Sequence, residues 1–171
     1  MAINKVLVVG LGLMGRGILQ VCAQAGFESY GYDVSEDAVK NATGFIGKSL
    51  DKKVKKGTMS EADKAKVLSN IKTVSDLNDA RDVDLAIEAV FEDINVKKDV
   101  FRKLDEVLQP NAILASNTSA LPATPLASVT KRPDKFMIIH FHQPPTVMRL
   151  IELVKAIQTS VETAAAAMEF C

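Results

Sequence analysis

Val6-Leu7-Val8-Val9 is a run of four β-favouring apolar residues that leads directly into Gly10, Gly12 and Gly15. A short continuous apolar run ending in glycine predicts a strand buried on both faces, and the residues through Gln24 predict a helix behind it. Gly26 stops that helix, and Phe27 to Tyr32 predicts a second strand. From Ser35 to Lys56 apolar residues recur at helical spacing, with Val39, Ala42, Phe45, Ile46, Leu50 and Val54 forming one predicted stripe. Gly57 ends this helix, and Ser60, with Asp63 three residues on, starts another that reaches about Asn70. Val83 to Ala89 and Ala112 to Ala115 predict short buried strands. Between them Asn95 to Leu108 is amphipathic, with Val96, Val100, Phe101, Leu104, Val107 and Leu108 predicted to face inward before Pro110 closes the segment. Pro122 and Pro125 restrict the chain to turns and a short helix, Lys135 to His140 and Arg149 to Val154 predict two more strands, and Thr159-Ser160 starts a last, Ala-rich helix.

Strands alternating with helices predict an α/β domain spanning residues 1–171, with a mostly parallel sheet and helices on both faces. Apolar residues make up 47% of the chain and charged residues 25%, ordinary values for a globular domain. Lys and Arg together number 21, as do Asp and Glu, so no global field recruits nucleic acid or an anionic membrane. Cys22 and Cys171 fall in no metal-binding pattern, and no resident metal is expected. With no signal-peptide layout and no membrane-length apolar stretch, the expected setting is the reducing cytoplasm.

The candidate chemistry lies at the predicted strand ends. Gly10-Leu11-Gly12-Leu13-Met14-Gly15 between a strand and a helix is a dinucleotide-binding pattern, the arrangement of a Rossmann-type domain. Its glycines serve a tight turn, a close approach of pyrophosphate and tight helix–strand packing, while the N–H groups at the helix start face phosphates. Asp33 lies 18 residues beyond Gly15, placed to bond a ribose 2′-hydroxyl and to repel a 2′-phosphate, which favours NAD over NADP. As an alternative, Asp33 and Ser35 only begin the next helix. Glu88 and Glu92 end one strand, and Ser116-Asn117-Thr118-Ser119 ends another, where ligands gather in open α/β sheets. Both histidines of the chain, His140 and His142, fall at the end of a third. Lys48, Lys52, Lys53, Lys55 and Lys56 thicken the end of the long helix, either as a solvated face or as a docking surface for an anionic substrate handle.

Taken together, Gly-Leu-Gly-Leu-Met-Gly-Arg-Gly, Tyr-Asp-Val-Ser, Ile-Glu-Ala-Val-Phe-Glu-Asp, Ala-Ser-Asn-Thr-Ser and His-Phe-x-x-Pro with Leu-Ile-Glu-Leu-Val beyond it resemble the L-3-hydroxyacyl-CoA dehydrogenases, particularly the bacterial 3-hydroxybutyryl-CoA type. The resemblance implies an NAD-dependent oxidoreductase of fatty acid metabolism acting on an acyl-CoA. It places the catalytic base on His140, its carboxylate partner on Glu152 and the serine that bonds the substrate oxygen beside the nicotinamide on Ser119. By the same resemblance Glu92 and Lys97 lie near the cofactor's ribose, Gln143 lies beside the cofactor, Asn117 belongs to the substrate side, and Ser49 and Lys56 contact coenzyme A. The family usually has Gly-Met where this chain has Ile138-Ile139, Phe-Asn where it has His142-Gln143, and a second serine at Ala120. It also continues into further sheet strands and a helical domain that carries an active-site asparagine, covers the cleft and forms dimer contacts. The expectation is therefore a nucleotide-binding domain without those parts, which binds NAD, turns over weakly, and self-associates or pairs with a C-terminal domain. Two other readings are a non-catalytic NAD-binding module and a β-hydroxyacid dehydrogenase, whose Gly-Leu-Gly-Leu-Met-Gly pattern is shared.

Overall fold

Val6, Leu7 and Val8 are wholly buried because their strand, β1 (Lys5–Val9), lies mid-sheet with a helical layer on each side. The computed structural model describes residues 2–171. Its further strands are β2 (Glu28–Tyr32), β3 (Ile71–Val74), β4 (Leu85–Glu88), β5 (Ile113–Ser116), β6 (Phe136–Phe141) and β7 (Ile151–Lys155). The helices are α1 (Leu13–Gln24), α2 (Glu36–Lys55), α3 (Glu61–Ser69), α4 (Ile94–Val107), α5 (Ala123–Ala127) and α6 (Val161–Phe170). The sheet order is β3-β2-β1-β4-β5-β6-β7; the first six strands are parallel and β7 pairs antiparallel with β6. This is the doubly wound order 3-2-1-4-5-6 with one antiparallel strand added, and its switch point lies between β1 and β4.

Residue alternation divides the core. Val6 and Val8 join α1, α2 and α6 through Ile18, Leu19, Ile46, Leu50 and Ala167 on one face. Leu7 and Val9 join α4 and α5 through Phe101, Leu104 and Leu126 on the other. Ile138 and Ile139 point one into each core.

The structure corrects three details of the predicted pattern. β3 was not anticipated, because Ile-Lys-Thr-Val is short and half exposed, as suits an edge strand. On α2, Ala42, Ile46 and Leu50 are buried, but Phe45 is 39% exposed and carries the Arg16 guanidinium 4.0 Å above its ring. On α4 Phe101, Leu104 and Leu108 are buried as expected, but in the first turn Val96 is 43% exposed and Lys97 is buried instead, since the Glu88 and Glu92 carboxylates receive its ammonium. Ser60 and Asp63 form the anticipated capping box. No helix among the described residues is long and apolar enough to cross a membrane.

Candidate active site

At Gly10 and Gly15 the glycine loop is shaped by contacts that admit no side chain. Gly10 has φ +90°, and a Cβ there would lie 2.8 Å from the Ala89 carbonyl oxygen. A Cβ on Gly15 would lie 1.7 Å from the Gly10 oxygen, so only glycine lets α1 start this close to β1. At Gly12 a Cβ would meet nothing within 4 Å, which leaves open space on the side where a pyrophosphate would approach. Gly12 is the N-cap of α1 and makes no side-chain cap bond, and the first turn bond runs from Arg16 N–H to Gly12. The N–H groups of Leu13 and Met14 therefore stay available to an anion, with the helix dipole behind them.

Leu11 ties the glycine loop to the end of β2. Its side chain is buried, and its N–H donates to Asp33 Oδ2 at 2.7 Å rather than facing a phosphate. Asp33 Oδ1 accepts from Ser35 N–H at 2.9 Å, and Ser35 caps α2, so the helix-start and cofactor readings of this segment are compatible. The carboxylate closes the end of β2 against the loop. A cleft lined by Val9, Gly10, Tyr32, Asp33, Val34 and Val90 opens beside it.

Across the switch point, the ends of β4, β5 and β6 enclose a cavity of about 340 Å³ lined by Met14, Ala89, Val90, Glu92, Lys97, Asn117, Ser119, His140, Phe141 and Gln143. Seven of the residues expected at the site thus share one cavity, counting Met14, Glu92, Lys97, Asn117, Ser119, His140 and Gln143. Ser49 and Lys56 do not line it. Ser49 Oγ accepts from Gln20 Nε2 at 3.2 Å on the α1–α2 seam, and Lys56 caps the exposed end of α2.

Beneath the cavity lies a buried ionic network. Lys97, 1% exposed, donates to Glu88, 0% exposed, at 2.7 Å, and pairs with Glu92 at 3.0 Å. Glu88 also accepts from Ser116 Oγ at 2.6 Å and from Val90 N–H at 2.7 Å. Thr118 donates to Glu92, which holds that carboxylate at the rim; these hydrogen bonds and the adjacent ammonium outweigh its partial burial and keep its pKa below the ordinary value. Asn117 Oδ1 accepts from Phe141 N–H at 2.8 Å and ties the β5 and β6 ends together, leaving its amide group for the cavity.

The β6–β7 register sets His140 directly opposite Glu152. Their side chains emerge on the same face, and His140 Nδ1 meets Glu152 Oε2 at 2.7 Å. The bond with His140 comes first in holding the Glu152 carboxyl below the usual range, with His142 adding to it. A carboxylate at Nδ1 fixes the tautomer that leaves Nε2 able to accept a proton. Sequence reasoning passed over Gly17: a Cβ there would touch the Pro145 ring at 3.1 Å, so this glycine lets the loop after β6, with Gln143, lie on α1. The second glycine of Gly-Arg-Gly was its only signal.

Residues 5–171 match the sequence profile of the 3-hydroxyacyl-CoA dehydrogenase NAD-binding domain. The chain belongs to this family. It is 43% identical over 168 residues to a 3-hydroxybutyryl-CoA dehydrogenase of Bradyrhizobium diazoefficiens, covering 98% of this chain and 57% of the relative. To the mitochondrial hydroxyacyl-coenzyme A dehydrogenase of Sus scrofa it is 38% identical, covering 98% of this chain and 55% of the relative. The crystal structure of (S)-3-hydroxybutyryl-CoA dehydrogenase from Ralstonia eutropha superposes with a TM-score of 0.95 at 40% identity, over 98% of this chain and 59% of that one. The chain thus spans somewhat over half the length of these relatives.

Family membership implies NAD as the cofactor, and the open space at Gly12, the uncapped start of α1 and Asp33 at the β2 end fit its pyrophosphate and ribose. Changing Gly15 to Ala tests that fit. The new methyl must displace the Gly10 carbonyl, so the expected cost is at the upper end of the about 1–3 kcal/mol of overpacking, with loss of NADH binding. Thermal unfolding and NADH fluorescence titration check it; wild-type affinity in Gly15→Ala would contradict the packing argument.

Proposed function

We propose that this domain carries the interconversion of a short 3-hydroxyacyl-CoA and the corresponding 3-ketoacyl-CoA with NAD. The observation that supports this reading most is that His140, paired with Glu152, lines the same cavity as Ser119, Glu92 and Gln143. Bound NAD supplies the hydride acceptor. His140 removes the proton from the 3-hydroxyl through Nε2, and Glu152 at Nδ1 steadies the imidazolium that results. Ser119 donates to the substrate oxygen from the β5 end, and Asn117 orients the acyl group beside it. Glu92, held by Thr118 and Lys97, receives ribose hydroxyls, with Lys97 acting from below, and Gln143 approaches the nicotinamide end. Ser49 and Lys56 on α2 bind the coenzyme A handle outside the cavity, the lysines adding attraction for its phosphates.

The 171 residues form the dinucleotide-binding unit, and the family's helical domain completes the cleft. Exposed Val147, Met148, Leu150 and Val154 around β7 offer an apolar edge for that domain or for self-association. With the cavity open to water, developing charge is stabilised weakly, so the chain alone binds NAD(H) but turns over slowly.

Titration of NADH fluorescence, followed by NADH oxidation with acetoacetyl-CoA with and without the helical domain of a relative in trans, tests the proposal. Binding with slow turnover that the added domain accelerates is the expected result. Absence of NADH binding would overturn it, and binding with no turnover under either condition would leave a cofactor-binding module. The same titration predicts the nucleotide preference. Asp33 places a carboxylate where a 2′-phosphate would sit, so NADPH should bind more than about tenfold more weakly than NADH. Equal affinities would remove Asp33 from the ribose site.

A further inference from the structure

His142 takes no part in the proposed reaction, yet it stands two residues beyond His140 on the same face, with the ring centroids 4.8 Å apart. Its Nε2 lies 3.3 Å from Glu152 Oε2, the oxygen that already meets His140 Nδ1 at 2.7 Å. Two imidazoles therefore converge on one carboxylate oxygen. His142 Nε2 is shut off from solvent and makes no hydrogen bond, because the oxygen lies near it but off the required direction. A buried nitrogen with its bonding capacity unspent calls for a partner.

We propose that His140, His142 and Glu152 form a binding site for a divalent transition metal ion of the zinc class. One ligand atom from each residue lies within 4.8 Å of the others. A tetrahedral zinc ion with Zn–N of about 2.0–2.1 Å holds its ligand atoms roughly 3.4 Å apart. The His142–Glu152 separation already has that spacing, the His140–Glu152 separation reaches it by opening about 0.7 Å, and the two histidine nitrogens, the widest pair of a set that spans 4.8 Å, reach it by closing about 1.4 Å. Two imidazole nitrogens and one carboxylate suit zinc, cobalt or nickel and do not suit magnesium or calcium, which prefer oxygen ligands. The antiparallel pairing of β6 with β7 prepositions the set, since His140 and Glu152 are register partners.

The ion would occupy the place of the proton between Nδ1 and the carboxylate. That proton passes through solvent to His140 Nε2, with no net release, and the ring stays neutral. This consequence alone rests on the reading of His140 as the base: with Nε2 protonated, the ring cannot accept the proton of the hydroxyl substrate, so metal binding blocks the oxidation.

The test uses metal-stripped protein carrying Cys171→Ser, which removes the exposed thiol, titrated with zinc against a chromophoric indicator. One equivalent per chain should bind with micromolar affinity, and magnesium should not compete. His142→Phe and His142→Gln should each weaken zinc binding by more than the about 10–100-fold cost of an outer-shell change. Cobalt should give a visible absorption band that both variants lose. Two variants are used so that the result survives misfolding of one, with thermal unfolding as the check. No stoichiometric zinc binding, or unchanged affinity in a folded His142 variant, would overturn the proposal. NADH titration of the same samples reads the cofactor site separately: lost NADH binding with retained zinc binding would count against the proposed function and leave the metal site standing.

Discussion

Replacing His140 by Ala should lower the single-turnover rate of NADH oxidation by acetoacetyl-CoA by about 10²–10⁴-fold, the range for a positioned general acid–base group. The side chain is held by its cross-strand partner Glu152 and lines the cavity, and it packs beside His142 rather than in the core, so its loss disturbs chemistry more than folding. NADH affinity should accordingly stay close to wild type, because the glycine loop and Asp33 lie across the switch point at the ends of β1 and β2. Glu152→Gln keeps an acceptor for Nδ1–H and removes the charge that steadies the imidazolium, so its loss should be smaller. The measurement is stopped-flow fluorescence with enzyme in excess, in metal-free buffer. A His140→Ala rate equal to wild type would remove this residue from the reaction.

Changing Lys97 to Met should destabilise the domain by about 3–5 kcal/mol, since the Glu88 carboxylate would remain buried without its counter-charge. In a domain of this size that corresponds to a fall in Tm of roughly 6–20 °C. The effect also reaches function. Lys97 joins Glu88 in the core to Glu92 at the cavity rim, so without it the Ala89–Glu92 segment loses its anchor and NADH affinity should fall together with stability. Adding Glu88→Gln should recover part of the stability, because the uncompensated charge disappears while Ser116 and Val90 keep a partner. If Lys97→Met melts with wild type, the pair is not bearing charge in the core. If the double variant is less stable than Lys97→Met, the loss comes from packing.

The molecule shows which parts of such a site can be read before folding. The strand–glycine–helix segment was legible because its requirements are local: a buried apolar run, a turn at positive φ and a helix start follow one another within a few residues. The place of Asp33 just beyond the end of β2 was legible for the same reason. Periodicity failed where burial is decided by partners remote in sequence. Lys97 reads as a polar position and is buried because Glu88 lies beneath it, whereas Phe45 reads as core and lies at the surface under Arg16. β3 escaped because an edge strand needs little hydrophobicity.

By itself the sequence determined the order of strands and helices apart from β3, the glycine turn between β1 and α1 and, through its motifs, the family. His140 and Glu152 entered as expectations carried by resemblance, and nothing in their spacing makes them partners. That is decided by the antiparallel return of β7 beside β6, which makes them register neighbours and brings His142 against the same oxygen. The ionic network under the cavity and the seat of Pro145 on Gly17 are tertiary in the same sense. Local backbone and hydrophobic preferences act over a few residues and can be read in order along the chain, but charge pairing and close contact depend on distances that exist only once the sheet has formed.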